Sequence, residues 1–491
     1  MDSTLERTIS RPTHKWLKEL SIAFVPGDTS SVLEEVVDGL LGQFQLLGHE
    51  MRSEPHGHTD ILLTTARFGA PIPWRRALFF TGRKRYGLQN NPTVYTLLHL
   101  TTKEYEGALQ HFRTALQKQP PDPADFEFPG LAPQSYRVLM EQSRRAGPIL
   151  ALLRQVQAQT KCVRILLIVG DDRPLLAHHF DLVGAYPKID MSDSDGHYED
   201  LVLRMVTATS TEEITDHRVG GDLISRSVWQ GLASPTEMLA AGAEFGRRNF
   251  FTEMLRISDL VQVPAVAEGV ATQYSEGCFA TWEPSLNALI TTVTGSARPV
   301  EKDAIGDDDL AVIMGVRPTG KGALVREVEG KRNDPPSSEA VELMDMDSLL
   351  PKIELGGEWA IQAQVPIVRS KLHGHRSIAS FDPSVAEHVM LDEPYYHYPV
   401  SCATGAQAEG IKVAFSRSEA LQNPLDPRQL VFTILPGHGV VIAEKWLPGK
   451  APFQAIWEAM DSDVLQVNSQ VPQGMLRYEA DAKGRMVLRE T

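Results

Sequence analysis

Cysteine is scarce in this sequence: three residues in 491, Cys162, Cys278 and Cys402. Odd in number and far apart, they argue against a disulfide framework or a cysteine-based zinc knuckle and fit a reducing compartment, so a cytoplasmic location is expected. Long apolar runs are also missing. No stretch reaches the roughly 18 uninterrupted apolar residues of a membrane span, and the opening MDSTLERTISRPTHKWLKEL has no signal-peptide core. The expectation is a chain neither exported nor inserted, with no membrane partner.

Positive charge is in deficit, with 48 Lys and Arg against 63 Asp and Glu and a formal net charge of -15. A general nucleic-acid binder needs a basic face for counterion release, and no long Arg/Lys cluster supplies one. Phosphate-cradle spacing is absent too: GHGVV, RVGGD and PTGKGA contain glycines, but none has the GxGxxG or GxxxxGK[ST] pattern at a strand-to-helix junction.

Material for buried cores is ample, with 42% hydrophobic and 23% charged residues. At about 100 to 200 residues per domain, the length suggests several domains. From Ser21 the text alternates strand and helix. SIAFVPG, DILLTTARFG and TVYTLLHL read as strands; SSVLEEVVDGLLGQFQLLG, WRRALFFTGRKRYG and TKEYEGALQHFRTALQKQ read as helices, which implies a parallel sheet covered on both faces. The proline-rich PPDPADFEFPGLAP reads as a boundary. Beyond it, SYRVLMEQSRRAGPILALLRQVQAQT reads as a broken helix and CVRILLIVGDD as a buried strand opening a second unit, with Asp171 and Asp172 at its carboxyl end either facing a ligand crevice or forming an exposed turn. After about Ala311, short β-like runs separated by Gly, Pro and Asp turns predict an antiparallel, barrel-like domain with one inserted helix in VSCATGAQAEGIKVAFSRSEAL. EGKRNDPPSSEAVE reads as a polar surface loop. The expected fold is α/β, with two Rossmann-like parallel-sheet units (1–125 and 126–310) followed by a mostly antiparallel β-rich C-terminal domain (311–491).

Candidate chemistry gathers in two places. His373 and His375 in KLHGHRS would share one face of a strand, a way to aim two imidazoles at one metal or substrate, and His388, His397 and His438 follow them. The other reading puts one ring in the core and the other in solvent. Glu268, Glu276 and Glu283 sit among apolar and small residues, where an ionised carboxylate is expensive unless paired or metal-bound. Glu283 alternatively caps a helix over SLNALITTVTG. Cys278 and Cys402 read as structural thiols rather than nucleophiles.

The stretch SEGCFATWEPSLNALITTVTGSARPVEKD, set between two α/β units and a β-rich domain that carries histidines, resembles the L-fucose and L-arabinose isomerase superfamily. The resemblance is specific over this stretch and architectural over most of the chain. It implies a divalent metal, manganese first and magnesium as the alternative, held by Glu276, Asp303 and His375, with Glu268 and His397 as rivals for the glutamate and the histidine. It further implies proton transfer through an enediolate by Glu276 and Asp303, a small sugar or polyol as substrate, and a homo-oligomer. Two departures are plain: the histidine pair near the arabinose isomerase C-terminus is missing, and Cys278 stands where an Asp is usual. The same sheets could instead serve a non-catalytic sugar-binding or assembly protein.

Overall fold

The computed structural model describes residues 19–490 apart from 69–86, 91, 121, 127–139, 141–146, 150, 158–163, 182–188, 192–195, 211–213, 215, 249, 252–254, 257–272, 275–276, 295–301, 303, 357–362, 393–402 and 469–475. The architecture is mixed α/β, with one parallel-rich sheet and several antiparallel ones.

The N-terminal sheet is built from β1 (Ser21–Val25), β2 (Glu50–Arg52), β3 (Ile61–Arg67), β4 (Thr93–Leu100), β5 (Arg164–Val169), β6 (Leu175–Phe180) and β7 (Ile189–Met191). Its order is β2-β1-β3-β4-β5-β6-β7. Pairing is parallel from β2 to β5 and antiparallel at β5–β6 and β6–β7. The helix Ser31–Leu46 starts where Ser30 Oγ accepts from the Leu33 N–H. The helix Thr102–Gln117 starts on a capping box, Thr101 with Glu104, so the cap lies one residue before the predicted start.

Among the described residues, 126–310 forms no second parallel sheet of its own, which corrects that expectation. Strand β5 pairs with β4 and therefore extends the first sheet. Its RILLIV run is apolar on both faces, as a strand covered on both sides requires. Strands β6 and β7 continue that sheet, while Cys278–Glu283 and Ala288–Thr292 join strands of the C-terminal part.

Those strands form a nine-stranded sheet in the order Ala386–His388, Leu430–Leu435, Gly439–Lys445, Val368–Gly374, Cys278–Glu283, Ala288–Thr292, Leu310–Val316, Ala323–Arg326 and Arg218–Val219. Seven consecutive strands pair antiparallel, and the two outermost join in parallel. Among the described residues this order is open, without the pairing that would close a barrel. Alternation along Cys278–Glu283 separates two cores. Cys278, Ala280 and Trp282 pack with the helices Ser338–Asp345 and Gly405–Ser416, while Phe279 packs with Phe245 and Phe453 on the other face.

Two local predictions are also corrected. SLNALITTVTG is not a helix: Ala288–Thr292 is a strand, and Pro284 to Asn287 form the hairpin turn, with Asn287 at φ 48°. Its β-branched run suits a pleated surface, and Asn tolerates the left-handed turn position. Glu283 therefore caps a turn, accepting from the Ser285 N–H at 3.0 Å and from Ser234 Oγ at 2.7 Å. The end of EGKRNDPPSSEAVE is not surface loop. It begins the helix Ser338–Asp345, with Glu339, Ala340, Val341, Glu342 and Leu343 buried.

Candidate metal centre

Three imidazoles meet at one end of the strand Val368–Gly374. His373 pairs with Cys278 on one side and Val441 on the other, which fixes its direction into the core. Its Nδ1 donates to Val440 O at 3.1 Å. His375 follows in the bend after this strand and is half-buried. His438 sits in the turn joining Leu430–Leu435 to Gly439–Lys445, its own N–H donating to Leu435 O at 2.9 Å. The Nε2 atoms of His438 and His375 lie 3.2 Å apart.

Glycine permits this convergence. A Cβ on Gly439 would stand 2.1 Å from Gly374 O, and one on Gly277, at φ +62°, would stand 2.2 Å from His373 O. Any side chain at either position would separate backbone segments that the three rings need close together.

A carboxylate completes the group. The helix Ser338–Asp345 lies over the same face of the sheet and brings Glu339 Oε1 to 3.4 Å from His373 Nε2. Glu339, His373, His375 and His438 each offer one ligand atom, and these atoms all lie within 4.8 Å of one another. Glu339, His373 and His438 are buried, with 8%, 1% and 3% of their surface exposed.

The electrostatics follow from burial and proximity. Burial would raise the Glu339 carboxyl, but His373, then His375 and Lys302, hold it down at about 2. Glu342 stands one turn along the helix. Burial and the charge of Glu339 push it well above the carboxylate range, although backbone N–H groups at Ala403 and Thr404 favour its ionised form. Burial, then His375 and His373, push His438 well below the imidazole range. Burial lowers the Lys302 ammonium, with Cys278 and Glu339 among the groups opposing it. The cluster thus sets a carboxyl held down against an imidazole pushed down in a buried setting, with the Glu342 carboxyl, pushed up, one turn further along the helix.

Of the residues picked from sequence, His375 belongs to this cluster. Glu276, Asp303, Glu268 and His397 lie outside the described residues. His373 was recognised as its same-face partner, and both rings converge with His438. Sequence reading missed Glu339 and weighed His438 only as one of several histidines and as part of a glycine motif. The signals were there: apolar Ala340, Val341 and Leu343 after Glu339 mark a helix with a buried face, and GHG between two apolar runs marks a hairpin turn. Cys278 is buried, and burial followed by the charge of Glu339 pushes its thiol well up, as suits a structural cysteine. Asp171 and Asp172 are exposed, and Asp171 accepts from the Thr102 N–H at 3.4 Å.

A buried Glu/His group of this kind can hold a metal ion. Among the described residues, no helix is long and apolar enough to cross a membrane. No family model matches the chain, and no curated protein or solved structure matches it significantly.

Proposed function

We propose that the chain is a metal-dependent enzyme that isomerises a small sugar or polyol, aldose to ketose, by proton transfer through an enediolate. The observation that carries this reading is the convergence of Glu339, His373, His375 and His438, three of them buried and His375 half-buried at the edge. An enediolate develops charge on two adjacent oxygens, and a divalent ion in a buried site stabilises that charge strongly. A proton must also move between neighbouring carbons, and Glu339, whose carboxyl His373 holds well below the usual range, is the carboxylate the group supplies. The sequence resemblance to sugar isomerases points to the same substrate class, although three imidazoles and one carboxylate suit zinc, cobalt, nickel or iron better than the manganese it implies.

The test is an assay of purified protein on a panel of aldoses, following ketose formation after chelation and after reloading with manganese, zinc or cobalt. Turnover that disappears with chelator and returns with an ion supports the reading. Glu339→Gln should lower kcat at least about a hundredfold, the scale of losing a charged group at a metal-stabilised oxyanion. A metal-loaded protein that converts no aldose, or turnover unchanged in Glu339→Gln, would overturn it.

A further inference from the structure

The shape of the histidine-carboxylate group says more than that an ion fits. Two of its edges are defined, 3.2 Å between His375 Nε2 and His438 Nε2 and 3.4 Å between His373 Nε2 and Glu339 Oε1. An ion with bonds of roughly 2.0–2.1 Å in tetrahedral geometry sets its ligands about 3.3 Å apart. Six-coordinate magnesium at similar bond lengths brings adjacent ligands to about 2.9 Å and takes oxygen donors and water. Three imidazoles and one carboxylate suit zinc, cobalt, nickel or iron, whereas carboxylate, carbonyl and water suit magnesium, calcium and manganese.

Hydrogen bonding independently points to an ion. His373 Nε2 is buried and, among the described residues, makes no well-directed hydrogen bond, facing only the Glu339 carboxylate at 3.4 Å, while the Nδ1 side of the same ring is committed to Val440 O. That is the arrangement of a metal-ligating histidine, whose second nitrogen is fixed by a carbonyl so that the first presents its lone pair. The ligands also come from three separate segments: a helix start, a strand with its following bend, and a hairpin turn. One ion would staple all three.

We infer that Glu339, His373, His375 and His438 form a four-coordinate site selective for zinc-class ions over magnesium, calcium and manganese, with His375 on its accessible side. A substrate oxygen would add there as a fifth ligand, a clause that rests on the enzymatic reading above. The ion selectivity does not.

Cobalt(II) reports the geometry directly. Full-length protein stripped with chelator and titrated with one equivalent of cobalt should develop the intense visible absorption of a tetrahedral site, and one equivalent of zinc should bleach it while a hundredfold excess of magnesium should not. His375→Ala, at the half-buried position, should weaken cobalt binding at least about tenfold and change the band pattern. Weak six-coordinate bands, or displacement by magnesium at low excess, would overturn the inference, as would an unchanged titration in His375→Ala. Intense bands without sugar turnover would remove the isomerase reading alone; turnover with six-coordinate bands would remove the four-coordinate assignment alone.

Discussion

His373 donates through Nδ1 to Val440 O across the antiparallel pair and turns Nε2 toward Glu339 Oε1, 3.4 Å away. A carbonyl only accepts, so Nδ1 must carry a proton. Between Nε2 and the carboxylate there is then either a second proton or a cation. In zinc-loaded protein we expect His373 as the neutral Nδ1–H tautomer with Nε2 on the ion. Long-range ¹H–¹⁵N spectra of histidine-labelled protein, assigned with His373→Gln, check this; an Nε2–H tautomer in the loaded state would contradict it.

This relationship also shows what was legible in the sequence. KLHGHRS points to two neighbouring imidazoles because strand periodicity is local; the strand ends at Gly374, and His375, in the bend beyond it, falls in the cluster. Strands such as Thr93–Leu100 and hairpins such as Leu430–Lys445 were readable for the same reason. Glu339 was not, because its meaning depends on where the helix Ser338–Asp345 lands. The polar run before it hid the apolar face after it. The pairing of β5 with β4 was equally hidden, since a proline-rich segment separates them in sequence without dividing the sheet. In SLNALITTVTG, apolar residues at short spacing fitted either period, and the β-branched content and Asn287 decided for a hairpin.

Two residues before His373 on the same strand, Lys371 is completely buried. Its Nζ donates to Leu343 O at 2.9 Å and to the Asp347 carboxylate. Both partners belong to the segment that carries Glu339, so this ion pair helps hold the helix to the sheet. Asp347→Ala leaves a buried ammonium without its counter-charge and should cost about 3–5 kcal/mol. The double variant Lys371→Met/Asp347→Leu should recover most of that loss. Urea unfolding measures both, and a loss under about 1 kcal/mol in Asp347→Ala would rule out the anchoring role.

Glu444 and His388 should give pH dependences of opposite sign. Glu444 accepts from the Ala455 N–H at 2.7 Å, and burial pushes its carboxyl up to about 7 from 4.5. Between these values the folded state binds more protons. Its stabilisation is therefore full below about pH 4.5 and is lost as pH rises through about 7, on the order of 3 kcal/mol in all. His388 packs against the Phe432 and Tyr478 rings, and burial holds it down at about 4 from 6.5. Its contribution is present above about pH 6.5 and is lost as pH falls through about 4. Unfolding midpoints of wild type, Glu444→Gln and His388→Phe across about pH 4 to 7.5 separate the two. The advantage of wild type over Glu444→Gln should shrink as pH rises, and its advantage over His388→Phe should grow. Parallel curves for either pair would refute that assignment.

Gly439 tests whether close backbone approach, rather than histidine chemistry alone, builds the metal centre. An added Cβ would lie 2.1 Å from Gly374 O, a backbone atom that cannot swing aside as a side-chain end can. Gly439→Ala must therefore part the strand Val368–Gly374 from the hairpin that carries His438, at a cost of about 1–3 kcal/mol typical of overpacking. It should also pull the His438 ring from His375, so that zinc raises the melting temperature of the variant much less than that of wild type. Gly356→Ala is the control, since among the described residues nothing lies within 4 Å of its added Cβ, and such a surface change should stay within about 0.5 kcal/mol. If Gly439→Ala loses stability but keeps the full zinc-induced shift, the turn tolerates the displacement and His438 is not held in place by this contact.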